Sequence, residues 1–147
     1  MIMADYEMLK LDRQLCFPLY AASREVIKRY YPLLEDLDLT YTQYVAMMVL
    51  WEEKEISVRD LGHRLFLDSG TLTPLLKSME KKGLLTRHRS QKDERVVVVR
   101  ITETGETLRD KAASVPEKMG ACIPLEPQEA MELYRLLHKL LGGISQN

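Results

Sequence analysis

Leu65-Phe66-Leu67-Asp68-Ser69-Gly70-Thr71-Leu72-Thr73-Pro74-Leu75-Leu76-Lys77 is the stretch that decides the fold. Asp68 or Ser69 can cap a helix running roughly from Gly70 to Lys82. Pro74 falls in its early turns, where proline is best tolerated, and Gly83 is a good terminator. Upstream, Ser57-Val58-Arg59-Asp60 opens a shorter helix that ends near Leu65. Downstream the period changes to two. Leu84 to Arg89 reads as a strand and Ser90-Gln91-Lys92-Asp93-Glu94 as a turn. Arg95 to Ile101, with four valines in a row, reads as a strand returning antiparallel. Short helix, tight connection, second helix and β-hairpin is the order of a winged helix-turn-helix.

The flanks are helical. From about Leu11 to Tyr31 apolar residues recur at helical spacing through Leu15, Leu19, Ala22, Val26 and Tyr30. Pro18 either kinks this helix beside Cys16 or marks where regular helix begins. Pro32 is expected to stop it. Thr40-Tyr41-Thr42-Gln43 is a capping box opening an apolar helix through Trp51. Thr102 caps a helix from Glu103 toward Val115, with a kink possible at Pro116. A last helix from about Gln128 carries Leu133, Leu136, Leu137, Leu140, Leu141 and Ile144 as one stripe. That stripe reads as a dimer seam or as packing within one chain. The expected fold class is mainly α with a small β-hairpin wing. One domain spans 1–147, and 40–102 forms the winged helix-turn-helix.

Length and composition agree with a globular chain: 147 residues, 46% hydrophobic and 29% charged. No apolar run is long enough for a membrane span, and no secretory signal opens the sequence. The expected location is the cytoplasm. Cysteines there are normally reduced, so a disulfide between Cys16 and Cys122 would be transient rather than structural. Net charge is −1, but it is unevenly spread. Residues 76–100 hold eight lysines and arginines against three carboxylates, while both flanks are acidic. A basic block of that density on a helix and hairpin suits a phosphate-contacting surface.

Two sets of residues carry the chemistry. Gly70, Thr71 and Thr73 offer small hydroxyls and bare backbone at a helix start, which permits close approach to base edges. Free N–H groups there are expected to accept a phosphate. Lys92 and Arg95 sit at the hairpin tip, where an arginine can enter a minor groove. Arg87 and Arg89 are backbone-contact candidates on charge alone. The second set is built around Cys16. Arg13 lies three residues before it, and Tyr20, four residues on, shares its face if the helix is regular. Tyr30 is 14 residues away, roughly 21 Å along a straight helix. It can meet the thiol only of a partner whose first helix runs antiparallel.

The run from Leu65 to Lys77, with Gly83-Leu84 and the wing's Asp93-Glu94-Arg95, resembles the MarR family of dimeric winged-helix repressors. Leu67-Asp68-Ser69-Gly70-Thr71-Leu72-Thr73-Pro74 is narrower. With Gln14-Leu15-Cys16-Phe17, Leu19 to Arg24 and Leu39-Thr40-Tyr41, it resembles the organic hydroperoxide-sensing repressors of the OhrR type. The resemblance implies a homodimer joined by helices of 8–35 and 103–147, bound to an inverted-repeat DNA operator. It implies DNA contacts from Ser69, Gly70, Thr71, Thr73 and Lys77, and wing contacts from Asp93 and Arg95, the aspartate orienting the arginine. It assigns Cys16 as the thiol that an organic hydroperoxide oxidises, with Tyr30 and Tyr41 donating to it across the dimer. It also favours resolution by Cys122 of the other subunit over a small external thiol. No cofactor or metal is implied, nor an enzyme. Two rivals stand beside this reading: a regulator of the same fold gated by an apolar or phenolic ligand, and a thiol peroxidase.

Overall fold

The computed structural model describes residues 5–145. Two single 3-10 turns, at Glu7–Leu9 and Leu11–Arg13, precede the first α-helix. Gln14 ties them down, its side-chain amide donating to the carbonyls of Met8 (2.7 Å) and Lys10 (3.0 Å). Regular helix then starts at Cys16 and runs to Glu35 as α1. Of the two readings of Pro18, the second therefore holds. Pro18 is the third helical residue, where an N–H has no intrahelical partner in any case.

Pro32 does not stop α1, contrary to expectation, and lies inside it. An interior proline costs roughly 3 kcal/mol. Continuing the helix buries Leu34 completely and delivers Leu37 and Leu39 to the core. Each such side chain contributes about 1.5–3 kcal/mol on burial, so packing outweighs the lost bond.

Helix α2 (Tyr41–Glu53) opens with the expected capping box. Thr40 accepts from the Gln43 N–H, and Gln43 from the Thr40 N–H. Its Ala46, Met47, Val49 and Leu50 are buried, so Met47 is core rather than the lining of a ligand pocket. Next come β1 (Glu55–Ser57), α3 (Val58–Leu65) and α4 (Ser69–Lys81). The α3–α4 turn is tight: Phe66 adopts a left-handed conformation and the Leu67 N–H donates to the Gly62 carbonyl. A Cβ on Gly62 would stand 2.9 Å from the Leu67 carbonyl oxygen, so only glycine fits there. Leu72, Leu76 and Met79 form the buried face of α4. The helix ends at Gly83, whose φ of +77° suits glycine.

Strands β2 (Leu85–Arg89) and β3 (Val97–Ile101) pair antiparallel, Leu85 opposite Ile101 and Arg89 opposite Val97. The wing is a three-stranded sheet rather than a bare hairpin, in the order β1-β3-β2. Ile56 of β1 faces Val99, which is fully buried. Three residues are too few for a period-two pattern to show in the sequence. Arg95 and Val96, read as strand, belong to the turn.

Thr102 caps α5 (Glu103–Ala112) through the Gly105 N–H. The chain turns at Ala113–Ser114 and restarts as α6 (Val115–Cys122). The single helix expected through Val115, with a kink at Pro116, is thus two helices. Pro116 lies in the first turn of the second, where its missing N–H costs nothing. Helix α7 (Pro127–Ile144) begins with proline at its first position, and Glu129 accepts from the Glu126 N–H.

The chain forms two compact units, one through Val115 and one from Pro116 onward. The first holds the core described above. In the second, α7 buries none of its residues, and Leu133, Leu136, Leu140, Leu141 and Ile144 all remain exposed. No helix among the described residues is long and apolar enough to cross a membrane.

Candidate nucleic-acid interface and thiol site

Helix α4 presents Ser69, Gly70, Thr71, Thr73 and Lys77 on its outer face, opposite Leu72, Leu76 and Met79. The helix start carries one of the two caps that the sequence offered. Its cap is Asp68, whose carboxylate accepts from the Thr71 N–H at 2.8 Å. That bond holds the Asp68 carboxyl below its ordinary pKa, with help from Gly70. A fixed negative charge already occupies the helix N-terminus and repels a phosphate there. The Thr73 hydroxyl donates to the Ser69 carbonyl (2.8 Å), leaving its oxygen as an acceptor.

The wing tip is built around one ion pair. Asp93 Oδ1 accepts from the backbone N–H and Nε of Arg95 (3.0 and 3.1 Å), and Oδ2 from Nη2 (3.1 Å). The Arg95 side chain still has 90% of its surface exposed. The arginine is thus aimed but free to meet a partner, and the aspartate carboxyl is held below its ordinary pKa by it. Lys92 and Arg89 are exposed nearby, with Arg89 Nη1 bracing the Glu94 carbonyl at 2.9 Å. Arg87 is different. Its guanidinium and its backbone N–H both bind the Glu80 carboxylate of α4. Its charge ties the wing to the helix. Glu80 left no mark in the sequence, because the contact exists only once the strand folds back beside α4.

Between α3, α4 and the wing lies an open cleft of about 1070 Å³, bordered by Arg59, His63, Ser69, Thr73, Asp93 and Arg95. A helix face of small hydroxyls beside an exposed, aimed arginine is the arrangement that enters adjacent grooves of duplex DNA.

The thiols and tyrosines occupy other places. Cys16 is the first residue of α1, exposed and unpaired. Tyr20 is exposed one turn on, with the Arg24 guanidinium 5.1 Å over its ring. Tyr30 and Tyr41 come together from α1 and α2, their ring centroids 4.7 Å apart. Tyr44 completes the cluster at 5.8 Å from Tyr30 and 6.3 Å from Tyr41. The sequence marks Tyr44 only as core, although it follows Tyr41 by three residues, one helical turn. Burial raises all three phenols above their ordinary pKa. Because α1 is continuous from Cys16 to Glu35, the thiol and Tyr30 stand about 21 Å apart in one chain. Cys122 ends α6, exposed and unpaired.

Comparison with known proteins adds three findings. Residues 28–112 match the family of SarA/Rot transcriptional regulators. The chain is 46% identical over 144 residues to the organic hydroperoxide resistance transcriptional regulator of Bacillus subtilis (strain 168), with 96% of each covered. Its fold is similar to AbfR, a protein of Staphylococcus epidermidis. The TM-score is 0.78 at 33% identity to reduced AbfR bound to DNA, over 95% of this chain and 96% of that one. It is 0.64 at 35% identity to disulfide-formed AbfR, over 92% and 95%.

Proposed function

The chain belongs to the MarR/SarA family of winged-helix transcriptional regulators, and from that premise we propose that it is a homodimeric repressor released from its operator when an organic hydroperoxide oxidises Cys16. The observation that carries this reading is the separation within α1. An exposed thiol at one end and a packed tyrosine pair toward the other can join only across two chains. An antiparallel partner α1 would bring Tyr30 and Tyr41 to Cys16, where protonated phenols donate to a thiolate.

The dimer has surface to form from. Leu15 just before α1, Phe17 and Leu19 on it, and Leu133, Leu136, Leu140 and Leu141 of α7 are exposed in the single chain. Exposed apolar surface, taken on each unit by itself, marks an interface. Two recognition helices related by two-fold symmetry then meet half-sites about one DNA turn apart. Ser69, Gly70, Thr71, Thr73 and Lys77 would face the major groove, and Lys92 and Arg95 the backbone and minor groove.

In the redox step, the Cys16 thiolate attacks the hydroperoxide. It becomes a sulfenic acid and the peroxide leaves as an alcohol. The thiol of the partner's Cys122 then displaces the sulfenic hydroxyl as water, giving an intersubunit disulfide. That bond shifts the helices that set the spacing of the half-sites. The compartment that keeps both thiols reduced between exposures is the cytoplasm.

A mixed dimer tests the pairing. One subunit carries Cys16→Ser and the other Cys122→Ser. After treatment with cumene hydroperoxide, non-reducing electrophoresis should show a covalent dimer in the mixture and monomers in each parent alone. A mixture that stays monomeric would rule out the intersubunit disulfide and favour an external thiol.

A further inference from the structure

Gln43 is the one polar residue among the described residues that is buried with the core, at 4% exposure. Its side-chain amide is engaged at both ends. Oε1 accepts from the Thr40 N–H (3.1 Å) and from Lys82 Nζ (3.0 Å), and Nε2 donates to Ser78 Oγ (3.0 Å). The first bond caps α2. The other two reach α4, Ser78 in its last turns and Lys82 at its C-cap. Lys82 Nζ also donates to the Asp38 carbonyl in the turn between α1 and α2, where Asp38 has a φ of +52°.

Capping alone does not call for this arrangement, because a glutamate at that position caps equally well. The Nε2 donor is used only toward α4. The capped turn also begins with Tyr41, so the backbone that carries this member of the tyrosine pair is the backbone that Gln43 secures. Fraying that turn would cost the capping bonds and leave a buried amide without partners.

We propose that Gln43 is a positioning residue that couples the Tyr30–Tyr41 pair to the recognition helix through Ser78 and Lys82. Both contacts lie toward the C-terminal end of α4, and the DNA-facing residues lie at the other. Ser69 is nine residues from Ser78, roughly 14 Å along the helix. A tilt of about 5° at the Gln43 end moves Ser69 by about 1 Å. The coupling deepens the proposed function, since it supplies the link between thiol chemistry and operator release. It does not depend on the identity of the oxidant.

The test is a double-mutant cycle on operator affinity of the reduced dimer, read by mobility-shift titration. One arm is Tyr41→Ala and the other combines Ser78→Ala with Lys82→Met. Tyr41→Ala should weaken operator binding about tenfold in the native background and less than about twofold where α4 is uncoupled. Gln43→Glu, which keeps the cap and the Lys82 contact but loses the Nε2 donor to Ser78, should respond to Tyr41→Ala more weakly than the native background does. Should Tyr41→Ala not fold, Tyr41→Leu takes its place. Equal fold-losses in the two backgrounds, or no effect of the tyrosine substitution at all, would overturn the coupling. The cycle uses no peroxide. A wild-type protein that ignores peroxide would therefore remove the redox reading and leave the coupling through Gln43 to stand or fall on the cycle alone.

Discussion

Tyr30 and Tyr41 keep their protons further into alkaline solution than a free tyrosine does, because their rings are packed together and partly withdrawn from water. A phenol that stays protonated remains a donor, which is what a neighbouring thiolate or sulfenate needs. The same burial has a consequence for stability. An unfolded tyrosine ionises near about 10, and the folded ones ionise higher. Their contribution to folding is therefore complete below about pH 10 and is lost as pH rises from there through the raised folded values. The melting temperature should fall as pH rises above about 10, and Tyr30→Phe with Tyr41→Phe should flatten that fall. An equally steep fall in the double variant would mean that other groups govern the alkaline limit. Tyr30 and Tyr41 were legible in the sequence by resemblance, but not Tyr44, whose ring joins them. The α4 start read as a phosphate site, although Asp68 as a cap candidate already implied a carboxylate there.

Among the elements, the basic block divides into two kinds of cation. Lys92 stands exposed on the wing, while Arg87 is bound to Glu80 three ways. Only the first is available to release counterions from DNA. Lys92→Ala should lower the slope of log affinity against log salt by about two per dimer, one for each wing. Arg87→Ala should leave that slope unchanged while loosening the wing. A slope that drops by about two per dimer in Arg87→Ala would show that the guanidinium leaves Glu80 for a phosphate. The elements themselves were largely legible. Capping residues, period changes and Gly83 marked α2, α3, α4, β2 and β3 closely. The misses have one physical cause. Pro32 inside α1 and the strand β1 are decided by tertiary partners, the burial of Leu34 and the pairing of Ile56 with Val99. Local sequence carries no trace of either.

For the molecule as a whole, the exposed leucines of α7 and the apolar start of α1 have no partner within their own compact units. A stripe that periodicity left open between seam and core is, in the single chain, surface. A thiol separated from the tyrosine pair by the length of a helix, and apolar surface left uncovered, would be satisfied together by the second copy proposed above. The separation could be estimated from the sequence as soon as the first helix was assumed straight, and the structure supplies the continuous helix. Everything turns on whether oxidation of Cys16 ends operator binding, which a mobility shift on an inverted-repeat operator reads. With one equivalent of cumene hydroperoxide per subunit, the wild-type complex should dissociate, at least about a tenfold loss of affinity, and thiol reductant should restore it. The Cys16→Ser complex should survive the same treatment. Release of Cys16→Ser as readily as wild type would show that Cys16 is not the sensor.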